Sequence, residues 1–197
     1  MTQEMLFALV LGYLFGSIPF GLLLVRIGGK GDIRDIGSGN IGATNVLRTG
    51  SKPLAALTLV LDCLKATAAI LLARALWGQS ADIFSAAGAM IGHLYPVWLR
   101  FKGGKGVATL LGVLIVLLPI GAVIYAAIWI LLMLTTRISS VAGMGAAVSA
   151  PVSEFLFGTR DYFPLLLGFA ALVLWRHRVN LARLKAGTEP KIGKGTG

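Results

Sequence analysis

Apolar residues arrive in this chain as long blocks, the longest over 107–134, with neither the 3.6-residue nor the two-residue spacing of a half-buried element. A segment that is apolar on every side points to lipid as its solvent. Composition agrees: 56% of residues are apolar and 13% charged, whereas an ordinary soluble domain is about 25% charged. Too few polar groups remain to cover a water-facing surface. The pattern predicts an all-α integral membrane protein.

A spanning helix needs roughly 17–25 residues. Seven candidates are predicted, near 4–25, 53–76 and 81–98, two within 107–134 divided at Pro119 and Gly121, then 139–157 and 161–176. The divided run holds 28 residues, short for two full spans at about 1.5 Å rise per residue. It is either one kinked helix or two short ones, and the basic residues decide between them. With seven spans and the N-terminus outside, 15 of the 18 Lys and Arg fall on the cytoplasmic side. Only Arg74 and Arg160 fall outside, and Lys65 lies within a span. Cytoplasmic loops carry the Lys/Arg excess in membrane proteins. Six spans would move Arg137 and the whole basic tail across the membrane. Seven spans, a cytoplasmic C-terminus and a location in the inner membrane are therefore expected, with 1–197 forming one domain. No basic residue precedes Arg26, and Glu4 stands where a signal peptide needs positive charge, so the first block reads as a retained helix. Residues after about Lys191 read as unconstrained or as an added tail.

The net charge of +10 would suit nucleic acid on a soluble face. Here the cations sit between apolar blocks, so they are assigned to topology and to anionic ligands, and no nucleic-acid partner is expected. Gly12-x-x-x-Gly16 and Gly88-x-x-x-Gly92 predict close helix approach. The Ala-, Gly- and Ser-rich segment 139–157 reads as an interior helix. Cys63 reads as a buried, inert thiol.

Three polar segments on the predicted cytoplasmic side are not ordinary loops. The first, Gly31 to Arg48, contains a formal G-x-G-x-x-G at Gly37, Gly39 and Gly42. It follows a spanning helix rather than a strand, so it is not a dinucleotide fingerprint. Glycines nevertheless let backbone N–H groups converge on an anion. Ser38, Asn40, Thr44 and Asn45 add uncharged donors, and Arg48 adds a cation. Ile33, Ile36 and Ile41 argue that this segment is ordered.

The second, Gly92 to Thr109, is another glycine-rich turn, carrying Lys102, Gly103, Gly104, Lys105 and Gly106 into a helix. It lacks Walker spacing, yet a cationic turn at a helix N-terminus suits phosphate. Tyr95 and Trp98 suit the membrane interface. His93 is either a hydrogen-bonded core histidine or an intramembrane functional group. The third, Trp175 to Glu189, sets His177 and Asn180 three residues apart and so on one helix face. A neutral histidine can take a proton from a hydroxyl, and Glu189 can brace the segment on a nearby cation.

Asp62 and Lys65, also three apart, read as a structural ion pair inside the second span. Glu154 needs no functional role. No His, Cys and carboxylate set has metal-ligand spacing, no serine sits in a G-x-S-x-G elbow, and neither metal nor cofactor is expected. Two cationic glycine turns suggest two phosphates, and an apolar bundle suggests a lipid chain. Together they fit acyl transfer to a phosphorylated acceptor at the membrane surface. A transporter for a phosphorylated solute is the alternative, but it should bind near the midplane on broken helices, whereas these cations cluster at one face.

The stretches GSGNIGATN, GHLYPVWLRFKGGKGVAT and RHRVNLARL resemble, in the same order, the three signature motifs of the PlsY family of bacterial membrane acyltransferases. The resemblance spans nearly the whole chain. It implies seven helices with the N-terminus outside, and acylation of glycerol-3-phosphate by acyl-phosphate to give lysophosphatidic acid. It implies catalytic need for Ser38 and Arg48, and binding of the glycerol-3-phosphate phosphate by Gly103, Gly104, Lys105 and Gly106. It further implies a part in activity for His177 and Asn180, and a structural part for Glu189.

Overall fold

The computed structural model of the protein describes residues 2–192; Lys194 and the rest of the tail lie outside them. Among the described residues every regular element is helical, as expected where backbone groups must be satisfied without water. The chain divides at Val116/Leu117 into two compact units.

The first unit holds α1 (Gln3–Gly16), α2 (Phe20–Ile27), α3 (Ala43–Leu47), α4 (Lys52–Trp77), α5 (Asp82–Leu94) and α6 (Val107–Leu117). The predicted first span is broken between α1 and α2, because Pro19 has no N–H to donate and keeps the preceding residue out of the helical region. The carbonyls freed by the break find new donors. Ser17 O accepts from Trp98 Nε1 at 2.8 Å and Ile18 O from Lys65 Nζ at 2.8 Å. Trp98, expected only as an interface residue, thus also pins the second polar segment to the break.

The α1–α5 contact is built on the predicted small residues. A Cβ on Gly12 or Gly16 would overlap the carbonyls of Ser85 or Ala89, and one on Gly88 or Gly92 those of Leu9 or Tyr13. The two glycine pairs are reciprocal, and backbone meets backbone. On α4, Thr67 donates to the carbonyl of Gly112 in α6 at 2.9 Å. The third predicted span is shorter than expected. α5 stops at Leu94, with Tyr95 outside helical geometry and Pro96 next.

The second unit holds α7 (Pro119–Thr136), α8 (Ser139–Phe157), α9 (Phe163–Arg176) and α10 (Arg178–Lys185). The run 107–134 is two helices: Leu118 leaves helical geometry and Pro119 opens α7. α8 packs between α7 and α9 and is the most buried of the long helices, as its small residues predict. Glu154 on α8 is buried and accepts from Tyr162 N at 3.2 Å, tying the start of α9 to α8.

Among the described residues four helical stretches are long and apolar enough to cross a membrane: Gln3–Ile27, Lys52–Trp77, Pro119–Thr136 and Ser139–Phe157. α9 and α10, bent by 57°, make a fifth if taken as one span. α5 and α6, with 13 and 11 residues, would rise only about 20 and 16 Å, against about 30 Å of hydrocarbon.

Candidate active site

The first polar segment is a built loop. Ile33, Ile41 and Val46 are buried in one cluster with Leu22, Val25 and Ala55. Asp32 accepts from Arg34 and Arg26 at 2.6 and 2.7 Å, and these guanidiniums, Arg34 first, hold its carboxyl well below the usual carboxylate range. Asn45 is the central post, 2% exposed. Its amide donates to the carbonyls of Ile33 and Ile36 at 3.0 and 2.9 Å. Its Oδ1 accepts from the Ser38 amide at 3.1 Å and from Arg48 Nη1 at 3.3 Å. Ser38 and Arg48 are therefore brought to one oxygen while both stay exposed.

Asn45, expected to donate to substrate, has both amide hydrogens committed to the loop. Asn40 uses its side-chain oxygen, which accepts from Gly42 N at 2.9 Å. Gly37 and Gly39 have φ of 56° and 66°, a region open to glycine, and a Cβ on Gly37 would crowd Asn45 and Arg48. Gly39 N donates to Ile36 O. The half-buried Thr44 lies in α3.

The second segment folds back on α5. Gly103 N donates to Leu94 O at 3.1 Å and Gly104 N to His93 O at 3.0 Å. Carbonyls in the last turn of a helix have no partner within it, and these two bonds satisfy them. The two glycines are needed for close approach: a Cβ at 103 would overlap His93 O, and one at 104 His93 Nε2. Arg100 and Phe101 have φ of 51° and 61°, unusual for residues with side chains. Gly106 (φ 89°) accepts from Leu110 N at 2.8 Å and opens α6, with the half-buried Lys105 just before it and exposed Lys102 at the turn.

His93 lies against this turn and is grouped with Asp62 and Lys65, each of the three 4% exposed or less. Lys65 Nζ is 2.7 Å from Asp62 Oδ1 and 3.0 Å from His93 Nδ1. The predicted Asp62–Lys65 pair is present. Its extension to His93 and to the helix break at Ile18 had no signal in sequence beyond the presence of three ionisable groups in apolar surroundings.

The third segment lies in the second unit. His177 sits at the bend between α9 and α10, and its Nδ1 is 2.8 Å from Val173 O. A carbonyl only accepts, so Nδ1 carries the hydrogen, and in the neutral ring Nε2 is the basic nitrogen. Asn180, one turn on and buried, donates to Glu189 Oε1 at 2.5 Å. Ser140 donates to the same oxygen and Arg183 to Oε2, at 2.7 and 2.8 Å. Burial raises the pKa of Glu189, but the donors Arg183, Asn180 and Ser140 outweigh it, and the net direction is down. Glu189 does brace this segment, on Arg183 and on α8 together.

The family model described as glycerol-3-phosphate acyltransferase matches residues 6–187. The chain is similar to the glycerol-3-phosphate acyltransferase of Rhodopseudomonas palustris (strain HaA2), 54% identical and covering 95% of each chain. It is 55% identical to the corresponding Brucella ovis protein, covering 94% of this chain and 92% of that one. A crystal structure of PlsY (YgiH), an integral membrane glycerol 3-phosphate acyltransferase, in its glycerol 3-phosphate form superposes with a TM-score of 0.90 at 38% identity, covering 96% of each chain.

Proposed function

The chain belongs to the glycerol-3-phosphate acyltransferase family, and on that premise we propose that it transfers a fatty acyl group from acyl-phosphate to the 1-hydroxyl of glycerol-3-phosphate. The products are lysophosphatidic acid and inorganic phosphate, at the head of phospholipid synthesis. The observation that carries the reading is the first loop: the side-chain oxygen of a buried asparagine accepts from the backbone amide of exposed Ser38 and from the guanidinium of exposed Arg48. That is a device for holding an anion at a membrane surface. The second turn, with Lys102 and Lys105 at the start of α6, supplies further positive charge where a helix N-terminus already favours anions.

The hydroxyl oxygen attacks the acyl carbonyl carbon, the new ester bond forms, and the bond to the phosphate oxygen breaks. The anhydride is already activated, so no covalent enzyme intermediate is needed. The protein's task is to hold two anions against their mutual repulsion, and fixed cations and N–H groups do this. The hydroxyl proton goes either to Nε2 of His177, which the Val173 carbonyl makes the basic nitrogen, or to the substrate phosphate. A His177→Gln variant with near-normal turnover excludes histidine as the base. Gly39, Gly42, Asn40, Thr44 and Asn45 shape the first cradle, Gly103, Gly104 and Gly106 the second, and Asn180 bears on activity.

The proposal includes seven crossings, an outside N-terminus, and the polar segments at the cytoplasmic face of the inner membrane, with the chain working as one domain. The one-sided Lys/Arg distribution supports it, since such an excess marks cytoplasmic loops. The test is phosphate release from palmitoyl-phosphate with and without glycerol-3-phosphate. Release that depends on the acceptor, with lysophosphatidic acid formed in step, is expected. No turnover across several acyl lengths would overturn the reading in favour of transport of a phosphorylated solute.

A further inference from the structure

An ammonium group has three hydrogens and no acceptor. Lys65 Nζ has three acceptors around it: Asp62 Oδ1 at 2.7 Å, Ile18 O at 2.8 Å and His93 Nδ1 at 3.0 Å. Asp62 Oδ1 is also 3.8 Å from His93 Nδ1. Three acceptors, one of them a carboxylate, surround this one nitrogen, and the assignment that gives each contact a hydrogen is Asp62 charged, Lys65 charged and His93 neutral. Nδ1 of His93 then accepts, and its hydrogen is on Nε2.

That side of the ring faces the second glycine turn. A Cβ on Gly104 would meet Nε2, Cε1 and Cδ2 of His93, so the imidazole edge lies against the Gly104 backbone. The adjoining backbone is clamped to the same residue, because Gly104 N donates to His93 O. The end of α5, the turn and the imidazole are thus joined by two backbone hydrogen bonds and a close ring contact. The lysine fixes the angle of the ring, and the ring is the floor on which the turn rests.

We infer that Lys65, with Asp62, is a positioning residue for the Gly103–Gly106 turn, acting through an Nε2–H tautomer of His93 to set the backbone that receives a phosphate monoester. The inference rests on the acyltransferase reading for its substrate, but not for its tautomer. A buried ion pair with a merely structural role can be replaced by neutral groups at little net loss. Here a neutral pair also removes the ammonium hydrogen bond that holds His93 Nδ1.

Two measurements test this. The first is the imidazole nitrogen spectrum of protein labelled with 15N-histidine, with His93 told apart from the second histidine, His177, by the His177→Gln variant. The expected result is a neutral His93 with Nδ1 unprotonated, becoming a mixture of tautomers in Asp62→Asn/Lys65→Met. A ring protonated at Nδ1 in the unsubstituted protein overturns the inference, whatever the enzyme's activity. The second is steady-state kinetics. The double variant, and His93→Asn, which keeps an acceptor near Nδ1 and has nothing at Nε2, should each raise KM for glycerol-3-phosphate about tenfold, the size of one lost hydrogen bond to a charged group. kcat should stay within about threefold in both. An unchanged KM in variants that melt like the parent overturns it. Should the parent protein fail to acylate glycerol-3-phosphate, the acyltransferase reading falls while the spectrum still decides the tautomer.

Discussion

Replacing Asn45 tests whether the first loop is held by one side chain. Asn45→Ala removes four hydrogen bonds: two to the carbonyls of Ile33 and Ile36, one from the Ser38 amide and one from Arg48. Arg48 is exposed and recovers water. The other three partners are backbone groups in a buried or part-buried setting, each worth about 1 kcal/mol net. The loop is thus loosened by about 3 kcal/mol, which sets a ceiling of about a hundredfold on the fall in kcat/KM for glycerol-3-phosphate. Asn45→Asp makes the experiment discriminating. It keeps an acceptor for Ser38 and Arg48, but turns a carboxylate oxygen onto two carbonyls that need donors. If the asparagine works as the post of the loop, Asp fails as badly as Ala. The assay is lysophosphatidic acid formation over a range of glycerol-3-phosphate concentrations. Thermal exposure of the lone, buried Cys63 to a thiol dye, followed in parallel, reports the melting of the first unit. An Asn45→Asp enzyme within a few-fold of the parent would refute the argument, and would reduce the role of this residue to its acceptor oxygen for Ser38 and Arg48.

Gly104→Ala drives a methyl into the His93 ring, and a strong rise in KM for glycerol-3-phosphate is expected, measured in the same assay. Gly88→Leu puts a side chain into the Leu9 carbonyl, an overpacking of about 1–3 kcal/mol or more, read as earlier dye labelling of Cys63 on heating. Glu189 has a depressed pKa in the folded protein, so its contribution is full above the ordinary carboxylate value and is lost as pH falls through the folded value. The difference in melting temperature between the parent and Glu189→Gln should therefore persist from about pH 5 to 8 and close only below about pH 4; a gap that instead widens in acid contradicts the assignment.

The helical membrane class and the three polar segments were legible in the linear chain, because lipid solvates each segment on its own. A block of apolar residues announces a helix wherever it later packs. The glycine pairs of α1 and α5 were legible for a related reason: residues one turn apart share a face in any helix, and only small ones permit backbone contact. Pro19 and Pro96 carried the break in the first span and the early end of α5, yet the long apolar runs around them masked both. What the broken backbone does could only be decided in three dimensions. The carbonyls it frees meet Trp98, 81 residues away, and Lys65, 47 residues away. The same holds for Asn45, which turns its amide inward as the post of its loop, and for Gly103 and Gly104, which serve close approach to His93. Residue type states what a polar group is able to bond. Which partner it bonds depends on distances between segments far apart in the chain, and those exist only once the helices have packed.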